Sequence, residues 1–421
     1  MEASPPSQRG SDAASDIGND VFADPPSNNL RLELDPSGLE EIIEYESGGF
    51  HPVHLQDVLG DRYRVIHKLG NGGFATVWLA RDLKANATKY AALKIIRADA
   101  SGDDCPELLL GRLQDSEHIC LAVDQFKMDG PNGSHLCFVY PVLGPRASDG
   151  AFHAYDDLDE ILHHACRSVT AAIASVHALG ICHGDLRPSN ILHPVTGFDG
   201  LAEDQVLAIL GEPSRNPVLN RAGEVNTAPT APGYLVYPVK WHTVDKSLFL
   251  KTPRLIDFGE SFDVSSDAPE YPGTPPPYRS PELILEDAAG IPSDLWALGC
   301  TLFEIRTGRK LFDLFDDEDD EYLDAMCQIL GKLPEPWWST TWERRSVAVH
   351  RNYHPSVAHN ARSLVDMLAP GLWYMNRKTF HKDIPSEEKP VFADLLGKLL
   401  EYRPEKRISA KEALEHEWFK M

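Results

Sequence analysis

Two short segments of this chain carry the residue types that phosphoryl transfer from ATP requires. The first spans His183–Asn190 and reads HGDLRPSN, and the second, much later, spans Asp257–Gly259 and reads DFG. The reaction needs a carboxylate that orients the attacking hydroxyl and oxygen ligands that hold Mg²⁺ against the phosphates. We assign the first task to Asp185 and the second to Asn190 and Asp257. Either segment alone also fits a turn that contains an aspartate by chance.

A glycine-rich segment lies upstream, between two predicted strands. Glycines let the backbone approach phosphates closely, and backbone amides donate to phosphate oxygens. The residues expected to bind ATP here are Leu69, Gly70, Asn71, Gly72, Gly73, Phe74, Ala75 and Val77. Lys94 follows on the next predicted strand and is suited to bridge the α- and β-phosphates. The segment alone also fits a plain hairpin, but its spacing to Lys94 favours a nucleotide site.

Two further charged residues are assigned roles in this reaction. Arg187 is expected to neutralise charge on the transferred phosphoryl group. Lys94 needs an acidic partner that holds its ammonium group, and we choose Glu107, although Asp104 and Glu117 compete for this role. An acid at the start of a helix more often pairs only with the helix dipole.

The elements that must position these residues change in type along the chain. Residues 1–41 are rich in Ser, Pro and Asp and are predicted to be a disordered tail. Residues 42–143 show strand-like alternation with one helix around 105–113, whereas apolar residues recur at helical spacing from Leu158 onward. Further helices are predicted around 293–307, 322–331, 359–368, 390–401 and 409–418. The fold class is therefore α+β, with a small antiparallel β-rich N-lobe at 42–143 and a larger, mostly helical C-lobe at 144–421.

Composition and charge narrow the cellular setting. The net charge of −24 disfavours direct binding to nucleic acid or to a membrane surface and favours cationic partners. The N-terminus lacks the pattern of a signal peptide, so we expect an intracellular protein, in the cytoplasm, the nucleus or both. The seven cysteines are scattered without a Cys-x-x-Cys pair, which argues against structural zinc and a disulfide framework. We expect a monomer.

The C-terminal half distinguishes between classes of phosphotransferase. The HGDL segment with its later asparagine also resembles small-molecule kinases of the aminoglycoside and choline type. However, Tyr278–Glu282, Asp294–Cys300 and Tyr402–Ile408 resemble three later motifs of protein kinases, in the order that those enzymes have them. The resemblance covers about residues 45–421. It implies the bilobal protein kinase fold, with ATP and Mg²⁺ as cofactors and proteins as substrates.

Within the protein kinases, the chain is most similar to the SR-protein kinases, a serine/threonine-specific family. The likeness rests on Gly48–Val53, Phe74–Ala80, the hinge Val142–Gly144 and a long insertion at about 194–250, which we expect to be partly mobile. The resemblance implies that Tyr140 lines the back of the adenine pocket, and that the Pro141 carbonyl and the Leu143 amide face the base. It also implies structural roles for Asp294, which anchors a helix, and for a buried ion pair between Glu282 and Arg407.

The sequence departs from the family pattern at three positions. Gly184 replaces the arginine that usually reads a phosphate on the activation loop, so we predict activity that needs no phosphorylation switch. Arg187 stands where these kinases usually have lysine, and Phe258 where the SR-protein kinases commonly have leucine.

A run of carboxylates bears on the substrate. It includes Asp316, Asp317, Glu318, Asp319 and Asp320. In the SR-protein kinases the corresponding region helps to dock arginine-rich substrates, and carboxylates suit guanidinium groups by charge and geometry. A solvated acidic loop is an equal alternative. The expected substrates are basic, Arg/Ser-rich proteins of the splicing type, and the other hypotheses are a nucleotide-binding pseudokinase scaffold and an active kinase for non-basic substrates.

Overall fold

The computed structural model describes residues 29–113, 116–147, 157–266, 273–314, 318–342, 362–369, 371–375, 378–382 and 384–421. Its strands are β1 (Arg31–Leu32), β2 (Val58–Leu59), β3 (Tyr63–Asn71), β4 (Ala75–Asp82), β5 (Lys89–Ile96), β6 (Asp124–Gly130), β7 (Gly133–Tyr140), β8 (Leu143–Arg146), β9 (Ile181–Cys182), β10 (Ile191–Pro194), β11 (Arg215–Leu219), β12 (Tyr234–Val236), β13 (Arg254–Leu255), β14 (Phe262–Asp263), β15 (Gly371–Met375) and β16 (Lys378–Lys382). Its α-helices are α1 (Leu158–His177), α2 (Glu203–Leu210), α3 (Pro281–Glu286), α4 (Ile291–Thr307), α5 (Asp319–Leu330), α6 (Leu364–Met367), α7 (Glu388–Leu399) and α8 (Ala410–Ala413).

A six-stranded sheet forms the N-terminal lobe, in the order β2-β3-β4-β5-β7-β6, with every neighbouring pair antiparallel. The alternating sequence buries apolar side chains such as Val65, Trp78 and Leu93 in one cluster. The register places Lys94 opposite Val77 on one side and Phe138 on the other. Lys94 therefore lies on the central part of the sheet, next to the strand that leaves the glycine-rich turn.

Helices dominate after residue 157, as the change in apolar period predicts. Helix α1 buries the residues that recur at three- and four-residue spacing, from Ile161 to Val176, and packs against α4. The predicted helices near 293–307, 322–331 and 390–401 are α4, α5 and α7. The helix predicted near 359–368 is the shorter α6, and residues 359–361 lie outside the described residues. The helix predicted near 409–418 is the shorter α8, followed by a 3₁₀ helix at Glu417–Lys420. A β-rich N-terminal lobe followed by a mostly helical C-terminal lobe agrees with the predicted α+β class.

The one helix expected in the N-terminal lobe, around 105–113, is a 3₁₀ helix at Pro106–Arg112. Pro106 fixes its start, because proline suits the first position of a helix. Only Glu107 and Leu110 of this segment are buried. Seven residues in 3₁₀ geometry make a weak element, since such helices have poor hydrogen-bond geometry.

Short strands of the C-terminal lobe bring His183–Asn190 and Asp257–Gly259 together. The segment His183–Asn190 leaves β9 and enters β10, and Asp257 follows β13. Because β10 pairs antiparallel with β13, the end of one segment lies beside the start of the other. The Ile256 amide donates to the Asn190 carbonyl at 2.9 Å, which continues that pairing by one more bond.

One sequence prediction about order needs correction. Residues 29–41, assigned to the disordered tail, are folded: β1 pairs with β11, and Leu30 is buried beside Val218 and Leu235. The insertion at 194–250 contains α2, β11 and β12. The two segments order each other, because each supplies strands and apolar side chains to the same small sheet.

Two further properties bear on the setting of the protein. Within the described residues, no helix combines the length and the apolar character that a membrane span would need. All seven cysteines are buried free thiols, in agreement with the expectation of no disulfide framework.

Candidate active site

The segment His183–Asn190 is held in place by Asp294, near the start of α4. Its buried carboxylate accepts hydrogen bonds from the amides of His183 (2.6 Å) and Gly184 (3.0 Å), and His177 Nε2 lies 3.0 Å away. Burial alone would raise the pKa of Asp294, but these hydrogen bonds and the His177 ring lower it. The anchoring role that the resemblance implies for Asp294 therefore has a direct geometric basis.

Asp185 lies at the floor of the cleft and is 6% exposed. Its Oδ2 accepts hydrogen bonds from Asn190 Nδ2 at 2.9 Å and from Arg187 Nε at 3.1 Å. Its Oδ1 lies 3.0 Å from the same Arg187 nitrogen without hydrogen-bond geometry, and it accepts no hydrogen bond from the described residues. Burial raises the pKa of Asp185, against the lowering effect of Arg187 and His183. One oxygen of a fixed carboxylate is thus available to a hydroxyl group.

Asn190 is oriented by the same contacts. Its Nδ2 donates to the backbone carbonyl of Asp185 at 2.8 Å as well as to the Asp185 carboxylate. These two bonds use the nitrogen of the amide and not its oxygen, and Asn190 lines the cleft. The pairing of β10 with β13 places Asp257 next to it.

Asp257 takes a backbone conformation that is uncommon for a residue other than glycine, with φ of 63°. The buried Phe258 ring packs beside the His183 ring at a centroid distance of 4.7 Å, which fixes the turn. The Asp257 side chain is 43% exposed, and its Oδ1 accepts a hydrogen bond from Lys94 Nζ at 2.8 Å. The Lys94 charge lowers the pKa of Asp257, so the carboxylate is ionised at neutral pH.

Lys94 is paired with Glu107, the acid expected from the sequence, and not with Asp104 or Glu117. Its ammonium group contacts both Glu107 and Asp257, on opposite sides of the cleft. Burial opposes the charge on Lys94, but the two carboxylates raise its pKa above the usual value. A lysine bound by two acids remains cationic and well positioned for phosphates.

The glycine-rich turn leaves open space above the cleft. A Cβ atom added to Gly70, Gly72 or Gly73 would meet no atom within 4 Å, so neighbouring side chains do not require glycine there. The Gly72 amide donates to the Ala75 carbonyl at 2.9 Å, which closes the turn. Phe74, at the tip, is 54% exposed. This open backbone surface fits close approach by a phosphate chain.

A cavity of about 1090 Å³ unites these parts. Its lining includes every residue that the sequence assigned to catalysis, ATP or metal: Leu69, Gly70, Asn71, Gly72, Gly73, Phe74, Ala75, Val77, Lys94, Glu107, Pro141, Leu143, Asp185, Arg187, Asn190 and Asp257. The carboxylates lie at one end, and the hinge lies at the other. ATP has room in such a space, since ligand pockets of this kind span roughly 300–1,000 Å³.

The cavity also contains residues that the sequence reasoning missed. Lys240, Trp241 and His242 of the insertion and Gly38 of the N-terminal segment line its outer part. No local pattern marks them, because their position depends on contacts between distant segments. Glu260 lines the cavity as well, and its place directly after the DFG segment was the only available indication.

The predicted pair Glu282–Arg407 forms a buried ion pair with side-chain exposures of 4% and 0%. Arg407 Nη2 donates to Glu282 Oε2 at 2.7 Å, and its Nη1 contacts the other carboxylate oxygen. Arg407 also donates to backbone carbonyls of Pro292, Glu401 and Tyr402. Glu282 ends the stretch of chain that begins at Asp257, called here the activation segment. The pair fixes this end against α4 and the motif Tyr402–Ile408.

The acidic run is only partly described. Asp316 and Asp317 lie outside the described residues, and Glu318 is exposed. Asp319 Oδ1 accepts a hydrogen bond from Arg279 Nη1 at 3.0 Å, so one carboxylate of the run binds a guanidinium group of the chain itself. Asp320 lies at the start of α5, where an acid suits the helix dipole.

Comparisons with known proteins find similarity to protein kinases. Residues 245–419 match the family model "Protein kinase domain". The serine/threonine-protein kinase SRPK of Physarum polycephalum is 29% identical over 90% of this chain and 90% of its own. The serine/threonine-protein kinase AFC3 of Arabidopsis thaliana is 29% identical, over 88% of this chain and 85% of its own. The human dual specificity protein kinase CLK2 is 25% identical over 90% of this chain and 68% of its own.

A solved structure agrees in fold. The crystal structure of a kinase domain aligns with a TM-score of 0.58 at 22% identity, over 88% of this chain and 98% of that chain. This alignment confirms the predicted bilobal α+β protein kinase fold.

Proposed function

We propose that the chain is a serine/threonine protein kinase similar to the SR-protein and CLK kinases, and that it phosphorylates basic, Arg/Ser-rich proteins. In this proposal the γ-phosphoryl group of ATP passes to a serine or threonine hydroxyl. The observation that carries the proposal is the convergence of Asp185, Asn190, Asp257 and Lys94 on one cavity. The same cavity contains the open glycine-rich turn that leaves room for the phosphates.

Each side chain has a role that follows from its environment. Asp185, with one oxygen available, orients the substrate hydroxyl and accepts its proton. Arg187 lies beside it and neutralises charge on the phosphoryl group in transit. Lys94 holds the α- and β-phosphates, and the hinge residues Pro141 and Leu143 offer a carbonyl and an amide to the adenine.

The donor set fits magnesium. Mg²⁺ takes oxygen ligands and is usually bound by one or two protein groups together with phosphates and water. Asp257 supplies an ionised carboxylate and Asn190 an amide oxygen, on adjacent segments of the cleft. Among the described residues, no three His, Cys, Asp or Glu side chains converge as a separate metal site. Bound magnesium would supply charge neutralisation for the phosphates.

Three observations support a basic substrate. The net charge of −24 attracts cationic chains. Asp319 already binds the guanidinium group of Arg279, which shows the chemistry that an arginine-rich substrate would use. A relative similar over 90% of both chains is named SRPK.

Hydrogen bonds that involve no phosphate group connect the activation segment to His183–Asn190. Gly184, in place of arginine, has φ of 81°, and a Cβ atom there would lie 2.3 Å from the Glu260 carbonyl oxygen. Glu260 Oε2 accepts a hydrogen bond from the Gly273 amide at 3.2 Å, and Thr274 Oγ1 donates to the Gly184 carbonyl. These contacts support the proposal that the kinase is active without phosphorylation of the activation loop.

Radiolabel transfer from ATP tests the proposal. The purified chain should phosphorylate an Arg-Ser repeat peptide faster than a neutral serine peptide, and Asp257→Asn should abolish the activity on both. Since exposed charges are screened within about 10 Å at 0.1 M salt, the preference should shrink as salt rises. Nucleotide binding without any transfer would identify a scaffold. Equal rates on both peptides would refute the substrate class but leave the kinase activity intact.

A charge-matched pair of variants locates the docking surface. Glu318→Gln with Asp320→Asn should raise the KM for the Arg-Ser peptide and leave that for the neutral peptide unchanged. The control removes two exposed carboxylates of the insertion, Glu212→Gln with Glu224→Gln, for the same change in net charge. Equal effects from both pairs would show that only the overall charge matters.

A further inference from the structure

Glu107, one of the two acidic contacts of Lys94, lies on a short 3₁₀ helix of the N-terminal lobe. It sits at the second position of the 3₁₀ helix Pro106–Arg112, where only one other residue is buried. Its carboxylate is buried, with a side-chain exposure of 1%. A buried carboxylate needs a partner for each oxygen, and a short 3₁₀ helix gives little help in holding one side chain in place.

Tyr140 supplies the second partner. Its hydroxyl donates to Glu107 Oε2 at 2.6 Å, while the other carboxylate oxygen contacts Lys94 Nζ. Burial and the negative charge of Glu107 raise the pKa of Tyr140 well above its usual value, so the phenol stays protonated and donates. The resemblance assigned Tyr140 only to the back of the adenine pocket, and its hydroxyl has a separate partner.

The position of Tyr140 is fixed by the sheet. It ends β7 and lies opposite Ala92 of β5, two residues before Lys94. Alternate residues of a strand share a face, so Tyr140 and Phe138 project to the same side of β7. Proline follows at position 141 and starts the hinge. The hydroxyl therefore extends from a strand paired within the sheet to the short 3₁₀ helix Pro106–Arg112, and the strand positions the side chain of the helix.

We propose that Tyr140 is a positioning residue for phosphoryl transfer, whose hydroxyl holds Glu107 so that Lys94 stays aligned with the phosphates. The inference rests on the proposed kinase function. Lys94 is shared between Glu107 and Asp257, both of which contact its ammonium group. If Asp257 held a bound magnesium ion, Glu107 would remain as the carboxylate that holds Lys94 in place. A Glu107 side chain free to change rotamer would leave Lys94 without that support.

The isosteric variant Tyr140→Phe tests the role. A hydrogen bond to a charged group contributes enough that its loss should lower kcat roughly ten- to a hundredfold. The KM for the peptide should stay unchanged, because Tyr140 is remote from the peptide. The melting temperature should match that of the control Tyr90→Phe, which removes a tyrosine hydroxyl from the same sheet, donating to the Leu201 carbonyl at 2.9 Å. Tyr90→Phe should keep the wild-type kcat.

A double-mutant cycle with Glu107→Ala separates positioning from general packing. If Tyr140 acts through Glu107, adding Tyr140→Phe to Glu107→Ala should change kcat by less than about 1.5-fold, because coupled residues are not additive. An equal loss in both backgrounds, or wild-type kcat for Tyr140→Phe alone, would overturn the inference. Should Tyr140→Phe lose stability, the cycle is measured with Tyr140→Met, which also lacks a hydrogen-bond donor and has the same expected outcome. A wild-type chain without transfer to any peptide would instead refute the proposed function.

Discussion

Removal of Arg407 tests how the activation segment is anchored. In Arg407→Met the Glu282 carboxylate stays buried at 4% side-chain exposure and loses both bonds to the guanidinium group. Breaking a buried pair from one side costs about 3–5 kcal/mol, because the remaining charge is uncompensated. Three backbone carbonyls, those of Pro292, Glu401 and Tyr402, lose a donor as well. We therefore expect the loss to lie near the upper end of this range.

The partner variant should behave differently. In Glu282→Gln the guanidinium group keeps its three carbonyl partners and an amide oxygen, so the expected loss is about 1–3 kcal/mol, that of a weakened hydrogen bond to a charged group. The double variant Glu282→Leu with Arg407→Met removes both charges and should recover part of the loss, since apolar replacements of buried pairs are often neutral.

Urea unfolding followed by tryptophan fluorescence gives the measurement. Trp296 is fully buried, and its ring lies 5.1 Å from the Arg407 guanidinium carbon, so it reports on this region. The control Arg403→Met removes an exposed arginine from the same late motif and should change the free energy of unfolding by less than about 0.5 kcal/mol. A loss below about 1 kcal/mol for Arg407→Met, or a double variant as unstable as the single one, would refute the reasoning.

Three other expectations follow from the described contacts. Burial raises the pKa of Asp185 above its ordinary value of 3.8, so kcat/KM should fall with decreasing pH at a pH above 3.8, and a pH–rate profile with its acid limb at or below that value would contradict the role as base. Gly184→Ala places a Cβ atom 2.3 Å from the Glu260 carbonyl at a φ of 81°, so kcat should fall more than tenfold, whereas Gly200→Ala, at a φ of 88° but with open space around it, should leave kcat unchanged. Lys68→Met should destabilise the chain by about 3–5 kcal/mol in thermal unfolding, because it leaves Glu40 buried at 1% side-chain exposure without its partner, and a loss below about 1 kcal/mol would show that the pair contributes little.

The chemistry of the site is predictable from sequence because its residues lie in short segments with fixed internal spacing. Asp185 and Asn190 are five residues apart, and the chain between them turns so that the Asn190 amide donates to the Asp185 carboxylate. Of the three acids considered as partners of Lys94, Glu107 is the one that contacts it, and it is the acid that enters the 3₁₀ helix with its side chain buried. The helix type was not predictable, because an apolar run of seven residues with a proline at its start fits either geometry.

Long-range contacts between charged groups escape sequence reasoning. Glu40 and Lys68 are both buried, and Tyr45 donates to the second oxygen of Glu40 at 2.6 Å. In sequence each charged residue is most simply read as a surface group, since Lys and Glu are almost never fully buried unless paired. The pairing joins the N-terminal segment to β3 just before the glycine-rich turn, and β1 of the same segment pairs with β11 of the insertion. Segments that look disordered separately can thus become ordered together, because each provides the partners that the other lacks.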